Sequence, residues 1–105
     1  MTFETFKHSI TENKAVLIYF SNEKCNICKV LKPKIIALFE EKFPEIKTYF
    51  VDIDSDSELA GQLRIFAIPT VLIFFEGSEA VRASRNVSLS ELENKVERYY
   101  TMLFR

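Results

Sequence analysis

Tryptophan is absent from the 105-residue chain, glycine and cysteine occur twice each, proline three times and histidine once. So little glycine and proline excludes collagen-like and low-complexity chains, and 48% hydrophobic residues exclude a disordered one. An excess of one charge sign is missing too. Fourteen Lys and Arg face fifteen Asp and Glu, for a formal net charge of -1, so the field that draws a protein onto nucleic acid or anionic lipid is lacking, and neither is an expected partner. Apolar runs such as Ala15 to Phe20 and Val71 to Phe75 are far shorter than the ~20 residues a membrane-spanning helix needs. The first residues, Met1 to Lys7, lack the basic region and apolar stretch of a secretory signal, so the expected compartment is the cytoplasm. With no repeat and no Gly/Ser- or Pro-rich linker, residues 1–105 read as one domain. A domain of this size buries roughly two-thirds of its unfolded surface and folds without a metal or disulfide staple.

What is present reads as alternating strands and helices. Phe3, Phe6 and Ile10 sit at helical spacing in a short helix over Thr2 to Ile10, with Thr2 as its cap. Ala15 to Ser21 is a continuous β-favouring run, as expected for a central strand covered on both faces. From Asn26 to Lys42 the residues Ile27, Val30, Leu31, Ile35, Leu38 and Phe39 share one helical face; Pro33 inside this helix should bend it near Lys29 or Val30. Thr48 to Ile53 reads as a second buried strand. Ser55 to Glu58 has capping-box spacing and opens a short helix to about Leu63. Thr70 to Phe75, a turn at Glu76-Gly77-Ser78 and Glu79 to Ser84 make an antiparallel hairpin. Ser88 to Glu91 repeats the capping box, and Leu89, Leu92, Val96, Tyr99 and Leu103 mark the face of a last helix. The expected fold class is α/β: a central mixed sheet with helices on both faces.

Chemistry concentrates in Cys25-Asn26-Ile27-Cys28, a C-x-x-C that follows a strand and opens a helix. Helix positions three apart have Cβ atoms ~5–6 Å apart, close enough for a disulfide. The loop so closed is tiny, and the chain-entropy formula gives it roughly 2 kcal/mol, so reversible electron transfer is the better use of the pair. Cys25 stands where unpaired backbone N–H groups and the helix dipole favour a thiolate, an effect of ~0.3–1 kcal/mol, up to ~2 in sheltered sites. One pKa unit is ~1.4 kcal/mol. The dipole therefore lowers the thiol by about one unit, and Lys24 and Lys29 are further candidates for the tuning. Cys25 is the expected nucleophile and Cys28, one turn deeper, the resolving thiol.

These residues, with Ile68-Pro69-Thr70, the helical Pro33, the hairpin Gly77 and the final helix all in register, resemble the thioredoxin family over nearly the whole chain. The resemblance implies the thioredoxin fold, a cis Pro69 facing the two sulfurs, and Ile68 offering backbone groups to an extended substrate. It places Lys24, Asn26, Ile27 and Thr70 in the same substrate groove. It implies a protein-disulfide reductase with no bound cofactor beyond the redox-active Cys25–Cys28 pair. Its substrates would be disulfide-containing proteins, its reductant an NADPH-dependent flavin reductase or a low-molecular-weight thiol, and its state a monomer. Several positions depart from the family pattern. Asn26-Ile27 replaces Gly-Pro, Lys24 an aromatic residue, and Arg85 the glycine before the last helix. Tyr19 replaces the buried carboxylate that helps deprotonate the resolving cysteine, and Phe50 replaces its lysine companion. A tyrosine, with an ordinary pKa of ~10, is a poor base near neutral pH. The expectation is slower resolution by Cys28, or proton transfer through water.

Blander readings stand beside these. The cysteines are alternatively two small buried apolar residues. A zinc knuckle needs ~4 ligands, and one C-x-x-C with a distant His8 would supply them only between two chains. His8 itself reads as a solvated surface residue. Asp52, Asp54 and Asp56 lack the Gly and distal Glu of a calcium loop and read as a solvated strand end with a helix cap. Phe74, Phe75, Tyr99 and Tyr100 read as packing. The alternative to an oxidoreductase is a binding module of the same fold, or a redox sensor with little turnover.

Overall fold

In the computed structural model, which describes residues 1–105, two apolar strands occupy the middle of a four-stranded sheet. Helix α1 spans Phe3–Glu12, β1 Ala15–Ser21, α2 Asn26–Lys42 and β2 Lys47–Asp52; α3 (Ser57–Gln62), β3 (Thr70–Phe75), β4 (Ser78–Ser84) and α4 (Leu89–Phe104) follow. The strand order is β2-β1-β3-β4, with β1 parallel to β2 and antiparallel to β3, and β3 antiparallel to β4. Successive strand side chains point to opposite faces, and the continuous apolar runs of β1 and β3 follow from that. Leu17, Tyr19, Val71, Ile73 and Phe75 pack against Leu31, Ile35 and Phe39 of α2 and Leu92, Val96 and Tyr100 of α4. Val16, Ile18, Phe20, Leu72 and Phe74 meet Phe6 of α1 and Leu59 and Ala60 of α3 on the other side. Helices thus cover both faces, and no helix is long and apolar enough to cross a membrane.

Caps set the helix starts. Thr2 Oγ1 accepts from the Thr5 N–H at 3.1 Å while Thr5 Oγ1 accepts from the Thr2 N–H at 2.8 Å, and α1 runs two residues past the expected end, to Glu12. Ser88 Oγ accepts from the Glu91 N–H at 3.3 Å and starts α4. Helix α2 passes through Pro33 without interruption. The Glu76-Gly77 turn has positive φ at both residues, 52° and 83°, the twist that suits a two-residue hairpin; β4 accordingly starts at Ser78, one residue earlier than expected.

Four expectations need correction. The strand expected to be buried over Thr48 to Ile53 runs from Lys47 to Asp52 with Val51 its one buried residue, because β2 is an edge strand with a single neighbour. Ser55 does not cap α3: Asp52 Oδ1 accepts from the N–H groups of Asp54 (2.8 Å) and Ser55 (3.3 Å), holding that stretch in a turn. The cap position falls to Asp56, whose carboxylate pairs instead with the Met1 amino group at 3.1 Å. Ile27 and Val30, assigned to the buried face of α2, are 67% and 59% exposed; their end of the helix lies against an open cleft. Tyr99 is part exposed, stacked on Phe75 at 5.1 Å, whereas Phe74, Phe75 and Tyr100 are buried. His8 lies exposed, its Nε2 3.2 Å from Glu12.

Candidate active site

Strand β1 delivers the chain to the site and a turn at Asn22 redirects it into α2: Asn22 accepts through its side chain from the Lys24 N–H (3.2 Å) and through its carbonyl from the Cys25 N–H (3.4 Å). Cys25 is then the N-cap of α2, in extended backbone, and its Sγ accepts from the Cys28 N–H at 3.2 Å. That N–H is one of the donors a helix start leaves without an internal partner. The two cysteines form a disulfide, their Cα atoms 5.3 Å apart. Cys25 is half-buried and Cys28 buried. Cys25 Sγ thus lies against that N–H at the positive end of a 17-residue helix, a position that favours an anion, and it belongs to the less buried of the two cysteines.

The second element is the loop entering β3. The Ile68–Pro69 peptide bond is cis, and Ile68 packs against the same core cluster as Cys25 and Cys28. Thr70 is buried, its Oγ1 donating to the Ala67 carbonyl at 2.7 Å. The Pro69 carbonyl accepts from the Arg85 N–H at 2.8 Å, which ties the β4–α4 corner to this loop. Lys24, Asn26, Ile27 and Lys29 all stand exposed around the disulfide, and Asn26 and Ile27 line a cleft. No group of three or more His, Cys, Asp or Glu side chains gathers where a metal ion would be held.

Tyr19 does something other than the acid–base work weighed for it. Its hydroxyl donates to the Cys28 carbonyl at 2.7 Å, so its proton is committed to the backbone of α2. Burial pushes its pKa up to about 12. Its ring meets the Phe50 ring edge-on at 6.0 Å, and Lys32 Nζ lies 4.4 Å from the centre of Phe50. An aromatic pair topped by an ammonium thus occupies the two positions where the family resemblance led one to expect a carboxylate and a lysine. The hydrogen bond explains a tyrosine there: a buried hydroxyl needs a partner, and Tyr19 fastens the first turn of α2 to the sheet. Sequence reasoning missed this role, and it missed Val30, Lys34 and Val87 as cleft residues. Arg85 stands where the family pattern has a glycine, and its φ of 63° is the backbone conformation that glycine preference there reflects.

A buried thiol and an accessible thiol joined at a helix start, beside a cis-proline loop on a mixed four-stranded sheet, define a thiol:disulfide oxidoreductase of the thioredoxin fold. The chain belongs to the thioredoxin family: the family profile described as Thioredoxin matches residues 1–98. Among its relatives are the thioredoxin-like protein YdfQ of Bacillus subtilis, 31% identical over 93% of this chain and 87% of that one. The thioredoxin of Chlamydia trachomatis is 36% identical over 90% of this chain and 87% of its own. In structure the chain is similar to thioredoxin 1 from Thermosipho africanus, with TM-score 0.77 and 32% identity over 86% of this chain and 99% of that one.

Proposed function

We propose that the protein reduces disulfides in other proteins, with Cys25 as nucleophile and Cys28 as resolving thiol. The Cys25 thiolate attacks one sulfur of the substrate disulfide; that bond breaks and the leaving sulfur departs as a thiolate that takes up a proton. Cys28, deprotonated in turn, attacks Cys25 Sγ and expels the second substrate sulfur. Two electrons pass from the dithiol to the substrate, and the Cys25–Cys28 disulfide remains. The observation that carries this reading is the Cys28 N–H donating to Cys25 Sγ at the N-cap of α2, while Cys28 itself is buried. It supports an ordered pair, with one sulfur stabilised and reachable and the other waiting. Ile68, over the buried Pro69 and Thr70, presents the backbone along which the substrate strand lies, with the exposed Lys24, Asn26 and Ile27 beside it.

The chemistry calls for no cofactor besides the cysteine pair. Reducing equivalents come from a small dithiol or from an NADPH-dependent flavin reductase, and the protein works as a monomer in the cytoplasm. Tyr19 supports a second reading. With no carboxylate at that position the mixed disulfide is long-lived, as a binding module or redox sensor would require. The test is trapping: reduced Cys28→Ser protein mixed with a protein disulfide is expected to accumulate a covalent adduct through Cys25, found by mass spectrometry, and Cys25→Ser none. Adduct through position 28 in the Cys25→Ser variant, or none in either, contradicts the assigned order.

A further inference from the structure

Between the start of α2 and the β4–α4 corner lies a cleft of about 670 Å³. Ile27, Val30 and Lys34 form one wall and Arg85 and Val87 the other, and Asn26, the residue next to Cys25, lines the cleft as well. Its apolar side chains are unusually open, Ile27 and Val30 being more than half exposed. Its charge is one-sided. Between residues 21 and 34 stand Lys24, Lys29, Lys32 and Lys34 against Glu23 alone, and between 85 and 90 there is Arg85 and no acidic residue. None of Lys24, Lys29, Lys34 and Arg85 joins an ion pair within the chain. The whole chain carries a formal charge of -1, yet the two charged residues that line the cleft, Lys34 and Arg85, are both cations.

Arg85 is held there against its backbone preference. At φ 63° it occupies the left-handed region, which disfavours any residue with a Cβ. Its N–H is bonded to the Pro69 carbonyl and its own carbonyl accepts from the Val87 N–H at 3.0 Å. Arg64 and Glu76 share this backbone region, but of the three only Arg85 lines the cleft, where a position that glycine would fill unstrained carries a cationic side chain instead.

We propose that this cleft selects polypeptide disulfides flanked by an acidic and apolar segment, with Ile27 and Val30 holding the apolar side chain and Lys34 and Arg85 its carboxylates. The proposal rests on the oxidoreductase reading above, and the bonds made and broken are those of that exchange. Docking of the segment delivers its disulfide to Cys25.

The test uses the reduced protein and two peptide disulfides that share a leucine beside the cysteine and differ only in carrying two Glu or two Lys. Neutral hydroxyethyl disulfide is the reference. The Glu peptide is expected to react about tenfold faster than the Lys peptide at low ionic strength, each exposed pair supplying a few-fold. At 1 M salt, where the Debye length is ~3 Å, the preference falls towards one. Arg85→Gly suits the corner's backbone and lowers the preference about threefold, whereas Lys7→Gln on α1 leaves it unchanged. Equal rates for the two peptides, or a preference that survives Arg85→Gly combined with Lys34→Gln, overturns the proposal and leaves the oxidoreductase reading standing. A dimer in sedimentation that the same double variant dissolves assigns the cleft to a second copy and overturns it as well. No exchange with either peptide or with hydroxyethyl disulfide overturns the oxidoreductase reading, and the proposal with it.

Discussion

Replacing Tyr19 with Phe removes one hydroxyl and leaves the ring's packing in place, so it separates a structural role from a catalytic one. The hydroxyl donates to the Cys28 carbonyl at 2.7 Å from a side chain that is 0% exposed, and water does not reach in to replace it. Losing a buried neutral hydrogen bond costs about 1 kcal/mol net, and a carbonyl left without that donor brings the total to about 1–2 kcal/mol. For a domain of about a hundred residues, 1 kcal/mol moves Tm by about 5 °C, so a fall of about 5–10 °C is expected. The resolution rate behaves differently. With the pKa pushed up to about 12, about one molecule in 10⁵ carries the phenolate at pH 7, and the hydroxyl is already bonded to the backbone. Tyr19 therefore takes no proton from Cys28, and the variant should resolve its mixed disulfide within about twofold of the wild-type rate, where loss of a true general base costs 10²–10⁴-fold. Thermal unfolding of the oxidised protein gives the first quantity, and stopped-flow decay of a Cys25 mixed disulfide gives the second. A variant with unchanged Tm whose resolution slows a hundredfold would make Tyr19 the proton acceptor and refute the reasoning.

Three further outcomes follow from the same geometry. Tyr19→Asp places a carboxylate where Cys28 lacks a base and should speed resolution about tenfold or more, while lowering stability; equal mixed-disulfide lifetimes in the two proteins would contradict it. Because the folded-state pKa of Tyr19 lies above its ordinary value of 10.0, at about 12, its neutral form contributes stability fully below pH 10 and loses it as pH rises through about 12, where the folded protein ionises too. Urea midpoints should thus fall more steeply between pH 10 and 12 in wild type than in Tyr19→Phe, and parallel curves would count against the burial argument. Gly77→Ala should cost about 1–2 kcal/mol in denaturant melts: the residue sits at φ 83°, while the nearest atom to an added Cβ, the Ile10 carbonyl oxygen, is an unstrained 3.7 Å away. A neutral result would show that the turn tolerates another geometry.

Strands β1 and β3 and helix α2 are legible in the sequence to the residue, because each carries its own evidence: an unbroken apolar run, or an amphipathic stripe. The C-x-x-C is legible because a residue at a helix start and the one three further on lie within disulfide reach, here with Cα atoms 5.3 Å apart, although Cys25 takes the N-cap position rather than a helical one. Illegible features depend on partners far along the chain. Tyr49, Phe50 and Val51 look like a core strand, and only the order β2-β1-β3-β4 reveals an edge. The Asp56 carboxylate is claimed by the amino group of Met1, which no capping pattern near residue 55 announces. Ile27 and Val30 match the helical stripe, yet their faces meet the cleft rather than the sheet. At Tyr19 the sequence exposes a missing carboxylate and hides the replacement, a hydrogen bond to a backbone carbonyl that leaves no side-chain signature.

The central claim is that Cys25 exchanges disulfides with other proteins, and dithiothreitol-driven reduction of a model protein disulfide at neutral pH tests it most directly. Wild type, Cys25→Ser and Cys28→Ser are assayed side by side against the uncatalysed dithiothreitol rate. The account predicts turnover above that background for wild type, its complete loss in Cys25→Ser, and a stalled covalent intermediate in Cys28→Ser. A wild-type rate no higher than that of Cys25→Ser would contradict it.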